Sequence, residues 1–202
     1  MIDIYWGDTA NYLDTMHQSG KPVIGLDRDG VINKDKGSIK DPSDLEPIEG
    51  SLEAITKLKK MGYTVVILSN QSGISKGIMT PDDVDSVNQR LFRMLGEAGC
   101  NFIDGLYYST SSNKKDYYAK PNVGMFERCE KENPNIRFKN GYFVGDKLTD
   151  LKAAINVGAR PILVRSGHGR ETEKLLDRHT YKKIKQKTTV YETLADFVFK
   201  IT

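Results

Sequence analysis

Two carboxylates separated by one residue follow an apolar run near the start of the chain. The run covers residues 22–26, and Asp27, Asp29 and Gly30 come directly after it. Such a run predicts a buried strand, and open parallel sheets bind ligands at the carboxyl ends of their strands. Alternate residues of a strand point to opposite faces, so the two acids share a face only while the strand stays extended. Gly30 indicates a turn just after Asp29, which would let Asp27 and Asp29 flank one site.

Polar side chains also follow three later apolar runs that predict buried strands. They are Ser69, Lys120, Asp146 and Asp150. Parallel strands bring their carboxyl ends to one edge of a sheet, so we expect these groups near the first two acids. Clustered carboxylates without a His or Cys set favour a hard, oxygen-liganded cation such as Mg²⁺, because their repulsion would otherwise raise their pKa values. A hydroxyl, a lysine and a divalent cation around one point suit a phosphoryl group.

Strands and helices alternate along the sequence, which predicts an α/β fold. The predicted strands are residues 22–28, 63–68, 102–109, 142–144, 160–165 and 189–191. The predicted helices are residues 50–61, 81–99, 124–131, 151–157 and 194–201. Thr80 is the expected N-cap of the second helix, and Thr149 or Asp150 that of the fourth. Right-handed crossovers then produce a Rossmann-like, mostly parallel sheet with helices on both faces.

We expect one domain over residues 22–202, preceded by an N-terminal extension over residues 1–21. The extension carries Tyr5, Trp6 and Tyr12, which predicts that it packs on the domain. The sequence contains no internal repeat and no low-complexity segment, so no second domain is indicated.

Composition argues against several classes of partner. The net charge is +3 and the 27 acidic residues lie among 30 basic ones, so we expect no nucleic-acid partner. Cys100 and Cys129 are far apart and predict neither a disulfide framework nor a zinc site. The chain lacks an apolar run of membrane-spanning length, and its first residues include acids rather than a basic segment, so we predict a cytoplasmic protein with no membrane partner.

Four motifs together resemble those of the haloacid dehalogenase-like phosphohydrolases. They are Asp-Arg-Asp-Gly-Val from Asp27, Ser-Asn-Gln-Ser-Gly from Ser69, Lys120-Pro121, and Gly-Asp-Lys-Leu-Thr-Asp from Gly145. The longer stretches around them, within about residues 23–172, are similar to the branch that holds D-glycero-D-manno-heptose 1,7-bisphosphate 7-phosphatase and histidinol-phosphatase. The resemblance implies Mg²⁺-dependent hydrolysis of a phosphate ester through an aspartyl-phosphate.

The resemblance also implies residue roles. Asp27 would attack phosphorus, and Asp29 would protonate the leaving oxygen and then activate water. Asp27, the backbone carbonyl of Asp29 and Asp146 would hold Mg²⁺, while Ser69 and Lys120 would bind phosphoryl oxygens. Asp150 would orient Lys120 or bond a water on the metal. The remaining candidates for phosphate or substrate contact are Asn33, Asn70, Gln71, Lys147 and Arg165, of which the first three would alternatively hold the loops together.

The chain departs from this branch in the segment before Lys120. Members of the branch often carry a zinc-binding loop with Cys and His, but residues 109–121 contain neither, so we expect no zinc. The loop would then be held by packing of Tyr117 and Tyr118. Ala119 stands where relatives have a substrate-binding arginine, and the replacement charge would come from Lys114, Lys115 or Arg165.

These features predict a phosphatase acting on a small phosphorylated metabolite, most like a heptose bisphosphate, in carbohydrate metabolism. A histidinol-phosphate or other sugar phosphatase is one alternative. The insertions after the first two strands are short, so we expect a minimal cap domain or none. The resulting open site would also admit a macromolecule, so a polynucleotide 3′-phosphatase is a second alternative. A third hypothesis of a different class is an inactive binding or scaffold protein, against which the presence of all the motif acids argues. A monomer is expected.

Overall fold

Six parallel strands form a single sheet in the order β3-β2-β1-β4-β5-β6. The computed structural model describes residues 21–202, so the interpretation of the extension lies outside the described residues, apart from Lys21. The strands are β1 (Ile24–Leu26), β2 (Val65–Asn70), β3 (Gly105–Ser109), β4 (Tyr142–Gly145), β5 (Arg160–Val164) and β6 (Thr189–Tyr191). The predicted α/β class with a parallel sheet is confirmed.

Seven α-helices lie in the described residues and cover both faces of the sheet. They are α1 (Ser51–Lys60), α2 (Pro81–Glu97), α3 (Gly124–Glu132), α4 (Leu148–Asn156), α5 (Gly169–Leu176), α6 (Lys182–Lys185) and α7 (Leu194–Ile201). The apolar faces of α1, α2 and α7 bury one side of the sheet, and those of α3 and α4 bury the other. The sequence did not predict α5 and α6, which are short and strongly charged.

Helix α2 begins where its local chemistry predicts. The Thr80 hydroxyl accepts a hydrogen bond from the N–H of Asp83, and the Asp83 carboxylate accepts one from the N–H of Thr80. This reciprocal capping box satisfies two N–H groups that the first helical turn leaves unpaired. The buried face of α2 is apolar except at Asn88, which is also fully buried.

The predicted start of α4 was wrong by three residues. The helix begins at Leu148 rather than at residue 151, because Lys147 is the extended N-cap residue. Asp150 therefore lies inside the first turn, where its carboxylate accepts a hydrogen bond from the N–H of Lys147 at 2.9 Å. This position turns the Asp150 side chain toward the carboxyl end of β4.

The segments that follow β1 and β2 consist of loops and turns. Between β1 and α1 the chain forms one 3₁₀ turn, Pro42–Asp44, and isolated bridges that pair Asn33 with Asp29 and with Pro47. Between β2 and α2 it forms hydrogen-bonded turns. The carboxyl edge of the sheet is therefore covered by loops. Among residues 21–202, every helix is too short or too polar to cross a membrane.

Candidate active site

The register of the central strands brings three acids to one edge of the sheet. Leu26 pairs with Ile67 in β2 and with Val144 in β4, so the residues that follow β1 and β4 lie side by side, while β2 continues to Asn70. Asp27 follows β1, Asp146 follows β4, and Asp150 reaches the same point from α4. One carboxylate oxygen from each of the three lies within 4.8 Å of the others, and all three residues are buried. This group is called the carboxylate cluster below.

Lys120 supplies positive charge to two acids of the carboxylate cluster, Asp27 and Asp150. Its Nζ lies 3.0 Å from Asp27 Oδ1 and 2.8 Å from Asp150 Oδ1, and it donates to the Leu68 carbonyl at 2.8 Å. Burial acts to lower the pKa of Lys120, but the charges of Asp150 and Asp27 outweigh it and raise that pKa. Lys120 therefore stays an ammonium ion, in contact with both the predicted nucleophile and Asp150.

Lys120 and Lys147 together do not offset the burial of three acids. Burial raises the pKa of Asp27 to about 6, where Lys120 opposes the rise and Asp150 adds to it. Burial, together with the charges of Asp150 and Asp27, raises the pKa of Asp146 to about 8. Asp146 Oδ1 is buried and has no hydrogen-bond partner among residues 21–202, while Oδ2 accepts from the N–H of His168 at 2.8 Å.

These observations fit a hard divalent cation such as Mg²⁺. An unpaired, buried carboxylate oxygen beside two further carboxylates is a ligand set that such a cation prefers. The side-chain set comprises Asp27, Asp146 and Asp150, whereas Asp29 was predicted to contribute its backbone carbonyl. Asp150, predicted only to support the site, is thus close enough to be a ligand itself.

Two glycines allow the loops to close around Asp146. Gly30 has φ +89°, and a Cβ atom there would lie 2.1 Å from Asp146 Oδ2. Gly167 has φ +56°, and its Cβ atom would lie 2.3 Å from the same oxygen. The hydroxyl of Ser166 also donates to the Gly30 carbonyl at 2.7 Å. The turn after Asp29 and the loop after β5 are therefore joined directly over Asp146, which agrees with the turn predicted at Gly30.

Asp29 lies outside the carboxylate cluster and is held by its own set of donors. Its Oδ1 accepts from Asn33 Nδ2 at 2.9 Å, and its Oδ2 accepts from Gln71 Nε2 at 2.7 Å. The Arg28 guanidinium donates to both oxygens, at 3.0 to 3.3 Å. Asn33 and Gln71 thus bond Asp29, and their contact with substrate stays a prediction.

Arg28 and Asn88 are site residues that sequence reasoning missed. Arg28 entered the sequence motif only as the residue between Asp27 and Asp29, and Asn88 was not predicted to belong to the site. A polar residue on the otherwise apolar face of α2, which carries Val84, Val87 and Leu91, was the available signal.

Ser69 and Asn70 connect the end of β2 to the site in different ways. Ser69 is buried, and its hydroxyl accepts from Gln71 Nε2 at 2.9 Å. The Asn70 amide donates to the Lys120 carbonyl at 3.1 Å and accepts from the Lys120 N–H at 3.0 Å. Asn70 therefore positions the Lys120 backbone, although it was predicted among the phosphate- or substrate-binding residues.

Lys147 and Arg165 are each engaged by acids. Lys147 Nζ donates to Asp35 Oδ2 at 2.7 Å, and the same oxygen lies 3.3 Å from His168 Nε2. Burial opposes the charged form of Lys147, but Asp146 and Asp27 outweigh it and raise its pKa. Arg165 donates two hydrogen bonds of 2.7 Å to Glu173 and a third to Glu192. These pairs occupy all three nitrogens of the Arg165 guanidinium.

Hydrogen bonds hold the loop before Lys120. Asn122 Nδ2 donates to the Asp116 carbonyl at 2.7 Å and to the Lys114 carbonyl at 3.2 Å. Tyr117 and Tyr118 are 51% and 39% exposed, but their rings meet edge to face and the Tyr117 hydroxyl bonds Glu127. The predicted packing of the two rings is therefore present at the surface, and the Asn122 amide adds a crosslink between two carbonyls of the loop.

Comparison with known proteins relates this site to a group of phosphatases. Residues 22–190 match the family described as polynucleotide kinase 3 phosphatase. The chain is 34% identical over 177 residues to the D-glycero-beta-D-manno-heptose-1,7-bisphosphate 7-phosphatase of Neisseria meningitidis, covering 87% of this chain and 91% of that protein. The enzyme of the same name from Pseudomonas putida is 36% identical over 174 residues, covering 86% and 95%.

Solved structures agree with this relationship. The D,D-heptose 1,7-bisphosphate phosphatase from B. bronchiseptica, complexed with magnesium and phosphate, superposes with a TM-score of 0.80. It is 29% identical in sequence and covers 90% of this chain and 98% of its own.

Proposed function

The chain belongs to the polynucleotide kinase 3 phosphatase family of haloacid dehalogenase-like phosphatases, and we propose that it removes the 7-phosphate of D-glycero-D-manno-heptose 1,7-bisphosphate. It is a phosphoric monoester hydrolase, and enzymes of this superfamily use Mg²⁺. The observation that carries the chemistry is the contact of Asp27 and Lys120 within a cluster of three buried acids. The substrate is proposed from the identity shared with enzymes named for it.

Asp27 is the proposed nucleophile, and its contacts fix the orientation of its carboxylate. Its Oδ1 accepts from the N–H of Arg28 at 2.7 Å and faces Lys120 Nζ at 3.0 Å. One oxygen of this carboxylate attacks phosphorus, and an aspartyl-phosphate forms as the ester oxygen leaves. When bound by Asp27, Asp146 and Asp150, Mg²⁺ supplies positive charge that offsets the repulsion between the carboxylate and the phosphate.

Asp29 is the proposed proton carrier. It gives a proton to the leaving alkoxide, and it then takes one from the water that hydrolyses the aspartyl-phosphate. Lys120 and the Ser69 hydroxyl are proposed to bind phosphoryl oxygens, with Asp150 and Asn70 keeping Lys120 in place. Each of these roles is proposed from the contacts of the residue and from the family motifs.

The residues that bind the substrate beyond its reacting phosphate are proposed to lie on the loop before Lys120. Ala119 is buried and cannot provide the missing charge, and Arg165 is paired with Glu173. Lys114 and Lys115 lie exposed on this loop and remain as candidates for binding a distal anionic group. The loop is proposed to keep its shape through Asn122 rather than through zinc.

The test is a phosphate-release panel in Mg²⁺ buffer. It compares the heptose bisphosphate with histidinol phosphate, other sugar phosphates and a 3′-phosphorylated oligonucleotide, because the matched family is named for polynucleotide substrates. The highest kcat/KM is expected for the heptose bisphosphate, with Asp27→Asn inactive but folded. Preference for the oligonucleotide would overturn the substrate proposal. No turnover of any phosphate ester by the wild type would favour the scaffold hypothesis.

A further inference from the structure

Every side chain that contacts the Asp29 carboxylate within the described structure is a hydrogen-bond donor. Asn33 and Gln71 each donate to one oxygen, and Arg28 donates to both. All three donors are buried, and Arg28 is only 1% exposed. The guanidinium is planar and its nitrogens are fixed relative to one another, so its orientation determines where the carboxylate lies.

Asn88 binds the one guanidinium nitrogen of Arg28 that does not contact Asp29. Its Oδ1 accepts from the remaining nitrogen of Arg28, NH1, at 2.9 Å. Asn88 comes from the middle of α2, so it links Asp29 through Arg28 to a rigid element of the fold. No other acceptor for Arg28 NH1 is found among residues 21–202.

The stability of α2 does not explain why Asn88 is an amide. Asn88 is 1% exposed, and its Nδ2 has no hydrogen-bond partner among residues 21–202. A buried amide donor without a partner destabilises the fold, and a leucine would complete the apolar face of α2 without that penalty. The bond to Arg28 is the interaction that requires an acceptor at this position.

We infer that Arg28 and Asn88 are positioning residues that together set the direction of the Asp29 carboxylate. The inference rests on the proposed role of Asp29 as the proton donor to the leaving oxygen. Proton transfer requires that the carboxyl group lies within hydrogen-bond reach of that oxygen. If Asn88 is lost, the guanidinium can tilt, and a displacement near 1 Å is enough to reduce the rate strongly.

The experiment compares two substrates whose leaving groups differ in their need for a proton. An alkyl phosphate, the heptose bisphosphate, needs protonation of its leaving oxygen, whereas p-nitrophenolate leaves p-nitrophenyl phosphate without it. The value of kcat/KM covers the steps up to transfer of the phosphoryl group to Asp27, so it isolates this requirement. The measured quantity is the ratio of the alkyl to the aryl kcat/KM, at saturating Mg²⁺.

The variants are Asn88→Leu, Asn88→Asp and Arg28→Met. Asn88→Leu should lower the ratio by about 10-fold, which is less than the roughly 10²- to 10⁴-fold that a general acid contributes, because Asp29 itself is retained. Arg28→Met should lower it further, and Asn88→Asp should restore most of it, because an acceptor oxygen returns to the same place. The matched control is Asp85→Asn on the same helix, where Asp85 accepts from the Tyr108 hydroxyl and lies outside the Arg28 network.

The outcomes separate this inference from the proposed function. If Asn88→Leu stays folded in a thermal melt and lowers both kcat/KM values equally, its effect is structural and the inference is wrong. An unchanged ratio in Arg28→Met would overturn it as well. Absence of both activities in the wild type would instead contradict the proposed function.

Discussion

Replacing Asp146 by asparagine should stabilise the metal-free protein while abolishing catalysis. Burial and two neighbouring acids raise the pKa of Asp146 from its ordinary value of 3.8 to about 8. The folded protein therefore keeps a proton that the unfolded chain releases. The stability due to this proton is fully present below about pH 4 and is lost as the pH rises toward 8.

The size of the effect follows from the pKa. At roughly 1.4 kcal/mol per pKa unit, a rise from 3.8 to about 8 corresponds to on the order of 5 kcal/mol at pH 8. Water entry and small shifts of the carboxylates reduce the cost in the native state, so we expect Asp146→Asn to gain about 2–4 kcal/mol. At pH 5 only the part of the pKa rise between 3.8 and 5 affects stability. The stability gained by Asp146→Asn should therefore fall below about 2 kcal/mol at that pH.

The assay is urea unfolding of both proteins in EDTA at pH 5 and pH 8, repeated with Mg²⁺. Mg²⁺ should stabilise the wild type, because the cation favours the ionised acids, and it should have a much smaller effect on Asp146→Asn. The control is Asp177→Asn, an exposed acid paired with Lys185, which should change stability by less than about 0.5 kcal/mol. A wild type at least as stable as Asp146→Asn at pH 8 without metal would refute the reasoning.

Three further predictions concern lysine, arginine and amide side chains around the site. Lys120→Met leaves two buried acids without their partner, so it should destabilise the metal-free protein by about 3–5 kcal/mol in urea unfolding and abolish phosphate release. Arg165→Ala should change kcat/KM for the heptose bisphosphate by less than about threefold, because its charge is already paired. The double variant Lys114→Ala, Lys115→Ala should instead raise KM. The reverse result would make Arg165 the substrate contact. Asn122→Ala removes two hydrogen bonds within the loop, so it should lower the free energy of unfolding by about 1–2 kcal/mol. The loop should also become more sensitive to protease. Equal cleavage of variant and wild type would contradict this role.

The sequence by itself determined the elements and the chemical type of the site. The apolar run before Asp27 is short, continuous and followed by glycine, and those local properties are sufficient to predict a buried strand that ends in acids. The pair Thr80-Pro81 likewise predicts the start of α2, because capping depends on residues within one turn. Such features are readable because the interactions that create them are close in the sequence.

The tertiary structure decided which side chains meet. Asp150 pairs with Lys120 and lies near Asp27 because α4 begins three residues earlier than its pattern predicts. Asn88 reaches Arg28 only because α2 packs against the strand end. These contacts join residues far apart in the chain, and their geometry depends on how helices dock on the sheet. For that reason the sequence predicted a pair of acids with different tasks, and only the fold specified the donors that surround each of them.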